Sequence, residues 1–400
     1  MSIKLILAVD ALSPNPTGIG RYTWELTRRL SEHPNVRSLH FYRNGKWIGS
    51  PEKLMQEVVV SVSRNNYARP TVTTVAKISS SAAASLKKKR GLPVKWPLAL
   101  RKFHTSMTAL ACRGHVFHGP NFFIPEIADV GVATVHDLSI FKYPETHPTS
   151  RLREFEMHFK ASMARAAHLI TDSEATRQEV IAFLGWSERN ITAVPLGVSP
   201  TFQQMDAATV APVMARYGLS YKSYCLCVST LEPRKKIVEL LRAYQCLPEA
   251  LRTRYPLVLV GGAGWLSEQL HADIDRLSAQ CWLKYLGFIL EQDLPALYAG
   301  ARSFVYPSIY EGFGLPVLEA MASGVPVVAS AFTSLPEVTQ GAAQLVDPDD
   351  IDALAEALAI SLCDETWCAA AIAQGRLVAA SYSWERCIEQ TVNVYKTVTK

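Results

Sequence analysis

Two glutamates, Glu311 and Glu319, stand in the stretch Tyr310-Glu-Gly-Phe-Gly-Leu-Pro-Val-Leu-Glu319. Pro316 suits the first turn of a helix, so the stretch predicts a glycine-rich loop carrying Glu311 that runs into a helix carrying Glu319. Carboxylates placed there can grip paired sugar hydroxyls, and the helix N-terminus beside them can meet phosphate. The competing chemistry is the acid/base pair of a glycoside hydrolase, which must flank a sugar from both sides. Two glutamates in one loop-helix unit favour binding.

Cations suited to a diphosphate follow an earlier apolar run, in Leu231-Glu-Pro-Arg-Lys-Lys236. Arg234 and Lys235 there can hold a leaving diphosphate, although such a run is also what a solvated charged turn looks like. Near the start of the chain, Pro16-Thr-Gly-Ile-Gly-Arg21 follows a strand-like run and opens a helix. Gly18 and Gly20 would let backbone N–H groups approach an anion. The dinucleotide pattern G-x-G-x-x-G is not completed, because Thr23 occupies the third glycine position, which argues against a nicotinamide-dependent dehydrogenase. His136, followed by Asp137, ends another apolar run, and its imidazole would project from a strand C-terminus into a cleft. The aspartate pairs Asp273/Asp275, Asp347/Asp349 and Asp350/Asp352 sit in polar, helix-like or turn-like surroundings. They read as solvated positions, so neither a metal nor a cofactor is expected.

The elements that must position these residues alternate between short apolar runs and amphipathic helical patterns, the mark of parallel sheets covered by helices. Strands are predicted at 4–9, 133–135 and 169–171 in the first half and at 224–228, 257–260, 303–306 and 325–329 in the second. Helices are predicted over 20–30 and from Ile237, Glu268, Asp293 and Pro316 onward. Open sheets of this class bind ligands at the C-terminal ends of their strands, where every candidate residue falls. Residues 194–200 contain two prolines and a glycine, which suits an interdomain connection. The expected division is 1–200, 201–380 and a final helical segment, 381–400.

A chain of 400 residues with 48% hydrophobic content can bury two cores. Its apolar runs are far shorter than the roughly 20 residues of a bilayer-crossing helix, and the N-terminus reads as a strand, not a signal peptide. Eight cysteines without zinc spacing point to a reducing cytoplasm, and Cys225 and Cys227 read as packing residues on one strand face. The net charge of +5 is spread too thinly to indicate nucleic acid. One concentration stands out: Lys87, Lys88, Lys89, Arg90, Lys95, Arg101 and Lys102, interleaved with Leu92, Trp96, Leu98 and Leu100. It reads either as a peripheral contact with an anionic membrane face or as a solvated loop.

Together these motifs resemble the family 4 retaining glycosyltransferases, whose E-x7-E motif matches Glu311 to Glu319. The resemblance extends through Thr17-Gly-Ile-Gly-Arg-Tyr22, His118-Gly-Pro-Asn121, Val135-His-Asp-Leu138, Thr171-Asp-Ser-Glu174, Val194-Pro-Leu-Gly197 and Gly262-Ala-Gly-Trp265, and thins between about 45 and 110. It implies a GT-B fold, two Rossmann-like α/β domains facing a cleft, with the acceptor on the N-terminal side and a nucleotide sugar on the C-terminal side. The final helix would cross back to the first domain. By the same resemblance Arg234 and Lys235 hold the diphosphate and Glu319 the ribose. Glu311, Phe313, Gly314 and Leu315 meet the donor hexose and phosphates, Gly18 and Gly20 close over the diphosphate, and His136 lines the donor sugar. Within the family, His-Asp-Leu, Leu-Glu-Pro-Arg-Lys and Tyr-Glu-Gly-Phe-Gly-Leu-Pro look most like bacterial O-antigen and exopolysaccharide mannosyltransferases, which implies GDP-mannose and a glycan or lipid-linked glycan acceptor. The pattern departs at Ser229, where glycine is common, and at Lys236, where asparagine often stands. The open alternatives are a UDP-sugar donor, an epimerase or phosphorylase of the same architecture, and a catalytically silent scaffold that docks on membranes.

Overall fold

The computed structural model describes residues 2–14, 18–56, 111–262, 264–265 and 268–399. The basic stretch 87–102 lies outside the described residues. Thirteen strands form two sheets among those described. The first contains β1 (Ile3–Ala8), β2 (Val36–Arg43), β3 (Lys46–Ile48), β4 (Val116–Gly119), β5 (Val130–Val135), β6 (Ala166–Thr171) and β7 (Ile191–Ala193), in the order β3-β2-β1-β4-β5-β6-β7. The second contains β8 (Cys225–Val228), β9 (Leu257–Val260), β10 (Leu283–Tyr285), β11 (Ser303–Tyr306), β12 (Val327–Ser330) and β13 (Ala343–Val346), in the order β10-β9-β8-β11-β12-β13. All pairings are parallel except β2 with β3.

The central strands explain themselves. Leu257-Val-Leu-Val260 is buried at every position, as a parallel strand covered on both faces must be, and its branched residues suit the pleat. Cys225 and Cys227 lie buried in one apolar cluster, both as free thiols, in agreement with a packing role. In each sheet the strand order reverses once, between β1 and β4 and between β8 and β11. Those two reversals open crevices at the strand C-termini.

Seven helices bear on the site: α1 (Gly18–Leu30), α2 (Glu174–Leu184), α3 (Ala207–Tyr217), α4 (Ile237–Cys246), α5 (Leu294–Gly300), α6 (Leu315–Ala322) and α7 (Trp384–Val398). Helix α1 begins at Gly18, two residues earlier than its predicted start, so both glycines lie in its first turn instead of a preceding loop. Helix α3 packs on α5 of the second domain, which puts the chain crossing before residue 207.

The chain then returns. Helix α7 is capped by Ser383, whose hydroxyl accepts the Arg386 N–H. It buries Trp384, Cys387, Ile388, Thr391, Val392, Val394 and Tyr395, recurring at helical spacing. That face meets the first domain: the Tyr395 hydroxyl lies 2.6 Å from His118 Nδ1, and His33 Nε2 lies 3.0 Å from Glu389. One continuous apolar cluster joins β1, α1, α7 and the second domain. The outgoing and returning chains touch, with Val198 N–H donating to the Tyr382 carbonyl at 3.2 Å. Gly197 lies so close to Trp384 that a Cβ there would overlap its backbone nitrogen.

Candidate active site

The two second-domain loops that carry charge leave β8 and β11, the strands on either side of the reversal. Lys235 and Arg234 sit in a short 3-10 turn, Pro233–Lys235, after β8. Lys236 then takes a left-handed conformation, φ 53°, to start α4. Asparagine tolerates that region better than lysine does, which accounts physically for the usual family residue there.

Glu311 follows β11 and pairs with the Lys235 ammonium, which also donates to the Tyr306 hydroxyl at 3.0 Å. Arg234 donates to the Tyr310 carbonyl at 2.5 Å and to Glu232 at 2.8 Å, with Asp137 and Glu311 at 3.6 and 3.7 Å. Burial works against the charge on Glu311, but Lys235 and Arg234 outweigh it and hold its carboxyl below the usual range. The same balance, through Arg234 and two hydrogen bonds from Ser139, holds Asp137 low. Both candidate diphosphate cations are therefore buried and already paired with carboxylates. A phosphate arriving here replaces one set of anions by another and does not have to be drawn from water to an isolated cation.

Gly314, φ 109°, ends the loop and starts α6, as only a residue without Cβ does easily. The Phe313 ring packs on Tyr382 and its carbonyl accepts from Ser334, so its side chain belongs to the core and only its backbone faces the loop. Leu315 opens α6 at the positive end of the helix dipole, where Pro316 carries no N–H and Val317 and Leu318 donate to the Gly314 carbonyl. One helical turn further, Glu319 is 4% exposed. Its carboxylate receives Arg21 of α1 at 2.5 Å, and burial raises its pKa despite that partner.

His136 is placed differently from its sequence expectation. Its Nδ1 lies 2.6 Å from Asp172 and its Nε2 lies 2.7 Å from the Pro120 carbonyl, so neither ring nitrogen points freely into the cleft. A carbonyl only accepts and a carboxylate accepts best when ionised, so both nitrogens donate. Burial disfavours the charged ring, yet Asp172 prevails and raises the pKa of His136. What reaches the other domain is the His136 carbonyl, against which Gly312 packs so closely that a Cβ would overlap it.

The first domain closes on this loop at further points. Ser173 Oγ and Thr176 Oγ1 donate to the Gly312 carbonyl at 2.7 and 3.2 Å. Glu337 accepts both the Glu174 and the Ala175 N–H at 2.9 Å, capping α2 from across the interface. Gly18 has open space where a side chain would stand, while Gly20 is buried in α1. Sequence reasoning assigned no role to Arg21 or Asp172, although both fall within the quoted motifs Thr17-Gly-Ile-Gly-Arg-Tyr22 and Thr171-Asp-Ser-Glu174. Among the described residues no group of three or more His, Cys, Asp or Glu side chains is arranged to hold a metal, and no helix is long and apolar enough to cross a membrane.

The family model for group 1 glycosyl transferases matches residues 218–378, the part that carries Arg234, Lys235, Glu311 and Glu319. The O-antigen chain mannosyltransferase B of Escherichia coli is 38% identical over 98% of this chain and 100% of its own length. A GDP-mannose-dependent alpha-(1-6)-phosphatidylinositol monomannoside mannosyltransferase of Mycolicibacterium smegmatis is 36% identical over 46% of this chain and 50% of its own. Among solved structures, Anabaena HepE in complex with UDP and glucose superposes with a TM-score of 0.71 at 17% identity, covering 98% of this chain and 99% of that one. A full-length relative at that identity, a matching domain model and two facing parallel-sheet domains lead to one conclusion: the chain belongs to the group 1 glycosyltransferases, the family 4 enzymes its motifs resemble, and has their GT-B fold.

Proposed function

We propose that this glycosyltransferase moves mannose from GDP-mannose onto a growing O-antigen or related lipid-linked glycan, with retention of the anomeric configuration. The observation that carries the reading is the cluster of Arg234, Lys235 and Glu311 at the β8/β11 reversal, pressed against the His136 carbonyl of the other domain. The choice of mannose rests on the name of the full-length relative, and that of GDP on the name of the partial one.

In this reading Glu319 accepts the ribose hydroxyls, while Arg234, Lys235 and the N-terminus of α6 take the diphosphate. The bond from the sugar C1 to the diphosphate oxygen breaks and a bond from C1 to the acceptor oxygen forms on the same face. The acceptor proton passes to the leaving diphosphate. Fixed cations and backbone dipoles stabilise the charge that develops, so neither a metal nor a cofactor enters the proposed step. The His136 carbonyl, beside Gly312, offers a negative dipole toward positive charge growing at C1. The same proposal includes a peripheral contact of residues 87–102 with the cytoplasmic membrane face that presents the acceptor.

Calorimetric titration with GDP, UDP and ADP, with and without EDTA, tests the donor. GDP binds selectively, EDTA has no effect, and Glu319→Ala loses binding. Selective UDP binding overturns the mannosyl donor, and no binding by any of the three overturns the transferase reading of this site. Glu311→Gln and Lys235→Met each lower turnover at least about a hundredfold, and proton NMR of the product shows the anomeric configuration of the donor.

A further inference from the structure

Arg21 does not fit the roles assigned so far. It comes from the first domain, three residues into α1, yet its Nη1 reaches Glu319 at 2.5 Å and its Nε lies 3.3 Å from Glu291, both in the second domain. The Nε is buried and not aligned for a hydrogen bond to Glu291. A guanidinium has five donors, and this one directs a single short bond to Glu319. The same side chain lines a cavity of about 280 Å³ together with Trp24, Phe202, Glu291, Leu315 and Glu319. A ligand entering that cavity meets the guanidinium and its carboxylate partner together.

The pairing poses a competition. Ribose hydroxyls donate to a carboxylate, and so does Arg21, which now holds an Oε1 of Glu319. A nucleoside whose ribose takes Oε1 of Glu319 displaces it. The released guanidinium remains in the first turn of α1, whose positive dipole end favours an anion. The ribose that takes its place carries the first phosphate one ring-width away, within the swing of an arginine side chain. Glu291, with its side chain 57% exposed, can return to water. Lys235 and Arg234 stand with Glu311, eight residues before Glu319 in the chain, so they serve the sugar end of the diphosphate.

We propose that Arg21 is a displaceable counter-ion: it holds Glu319 in the empty enzyme and passes to the diphosphate, on the nucleoside side, when the ribose takes its place. The hand-over spares Glu319 an unpaired buried charge before loading and links donor arrival to contact between the domains. This rests on the reading of the donor as a nucleoside-diphosphate sugar.

The test compares the nucleoside diphosphate that the wild type binds with its bare nucleoside, in wild type and Arg21→Gln, by calorimetry, with thermal melts to show folding. Diphosphate affinity falls on the order of ten- to a hundredfold, the worth of a charge-assisted hydrogen bond, while nucleoside affinity holds or rises. Arg21→Lys, which keeps a positive charge near Glu319, loses less diphosphate affinity and leaves the nucleoside unchanged. Equal losses for both ligands make Arg21 a structural support and overturn the inference, as does no loss for either. Absence of nucleoside diphosphate binding by the wild type overturns the donor reading as well.

Discussion

Asp172 and the Pro120 carbonyl between them claim both nitrogens of His136, so the ring serves to fix the backbone that carries it. The ion-pair part of that stabilisation is present only while the ring is charged. Because the folded-state pKa of His136 is raised, that contribution is full below the ordinary histidine value and fades as pH rises through the raised one. Asp172→Asn is expected to cost about 1.5–3 kcal/mol at about pH 6, with the gap to wild type narrowing toward about pH 9. Urea melts across that range check it, and a gap that widens with pH refutes the charged pair. The placement of Arg234, Lys235 and Glu311 in turns after strands, and of Glu319 on the helix that follows, was readable from sequence because the glycine, proline and strand context is local. The partners of His136 and Glu319 were not. Asp172 is 36 residues from His136, and Arg21 is 298 from Glu319, and no periodicity links residues on separate elements.

Helix starts and strand ends set the geometry in which these side chains work. Most predicted strands and helices of the second half fall within a residue or two of the observed ones, because buried parallel strands are short unbroken apolar runs. The start of α1 was misplaced because glycine lowers helix propensity; here Gly18 and Gly20 form the first turn all the same. Packing overrides propensity where Tyr22 and Leu26 are buried against the sheet. Between the elements, the loop after β11 approaches the His136 carbonyl at a glycine. Gly312→Ala, whose Cβ would overlap the His136 carbonyl, should leave nucleotide binding to the second domain nearly unchanged, lower the melting temperature by loosening the domain contact, and slow transfer on the order of a hundredfold, since a displacement of about 1 Å at a reacting centre has that effect. Steady-state kinetics beside calorimetry separate the two, and an undiminished transfer rate means that the reaction does not need this approach.

Across the whole molecule, the domains meet through charge and backbone as well as apolar surface. Glu337 satisfies two N–H groups at the start of α2 that would otherwise face the interface unpaired. Glu337→Ala is expected to shift the population toward separated domains, seen as a larger radius of gyration in X-ray scattering and a several-fold lower kcat/KM, with little change in the melting of the second domain. Glu337→Gln, which keeps one acceptor, falls between. Scattering identical to wild type would dispose of the latch. The division of the chain into two sheets was readable from repeated strand-helix alternation, whereas these cross-domain contacts belong to surfaces that sequence patterns describe only as polar. The two crossings, tied by Val198 to Tyr382 and pressed together at Gly197 and Trp384, form a double-ply flexure. Two chain segments tied at neighbouring points resist relative twisting more than a single segment does. A joint made of two tied segments leaves the domains fewer relative orientations than a single linker would, and so keeps Gly312 in line with the His136 carbonyl.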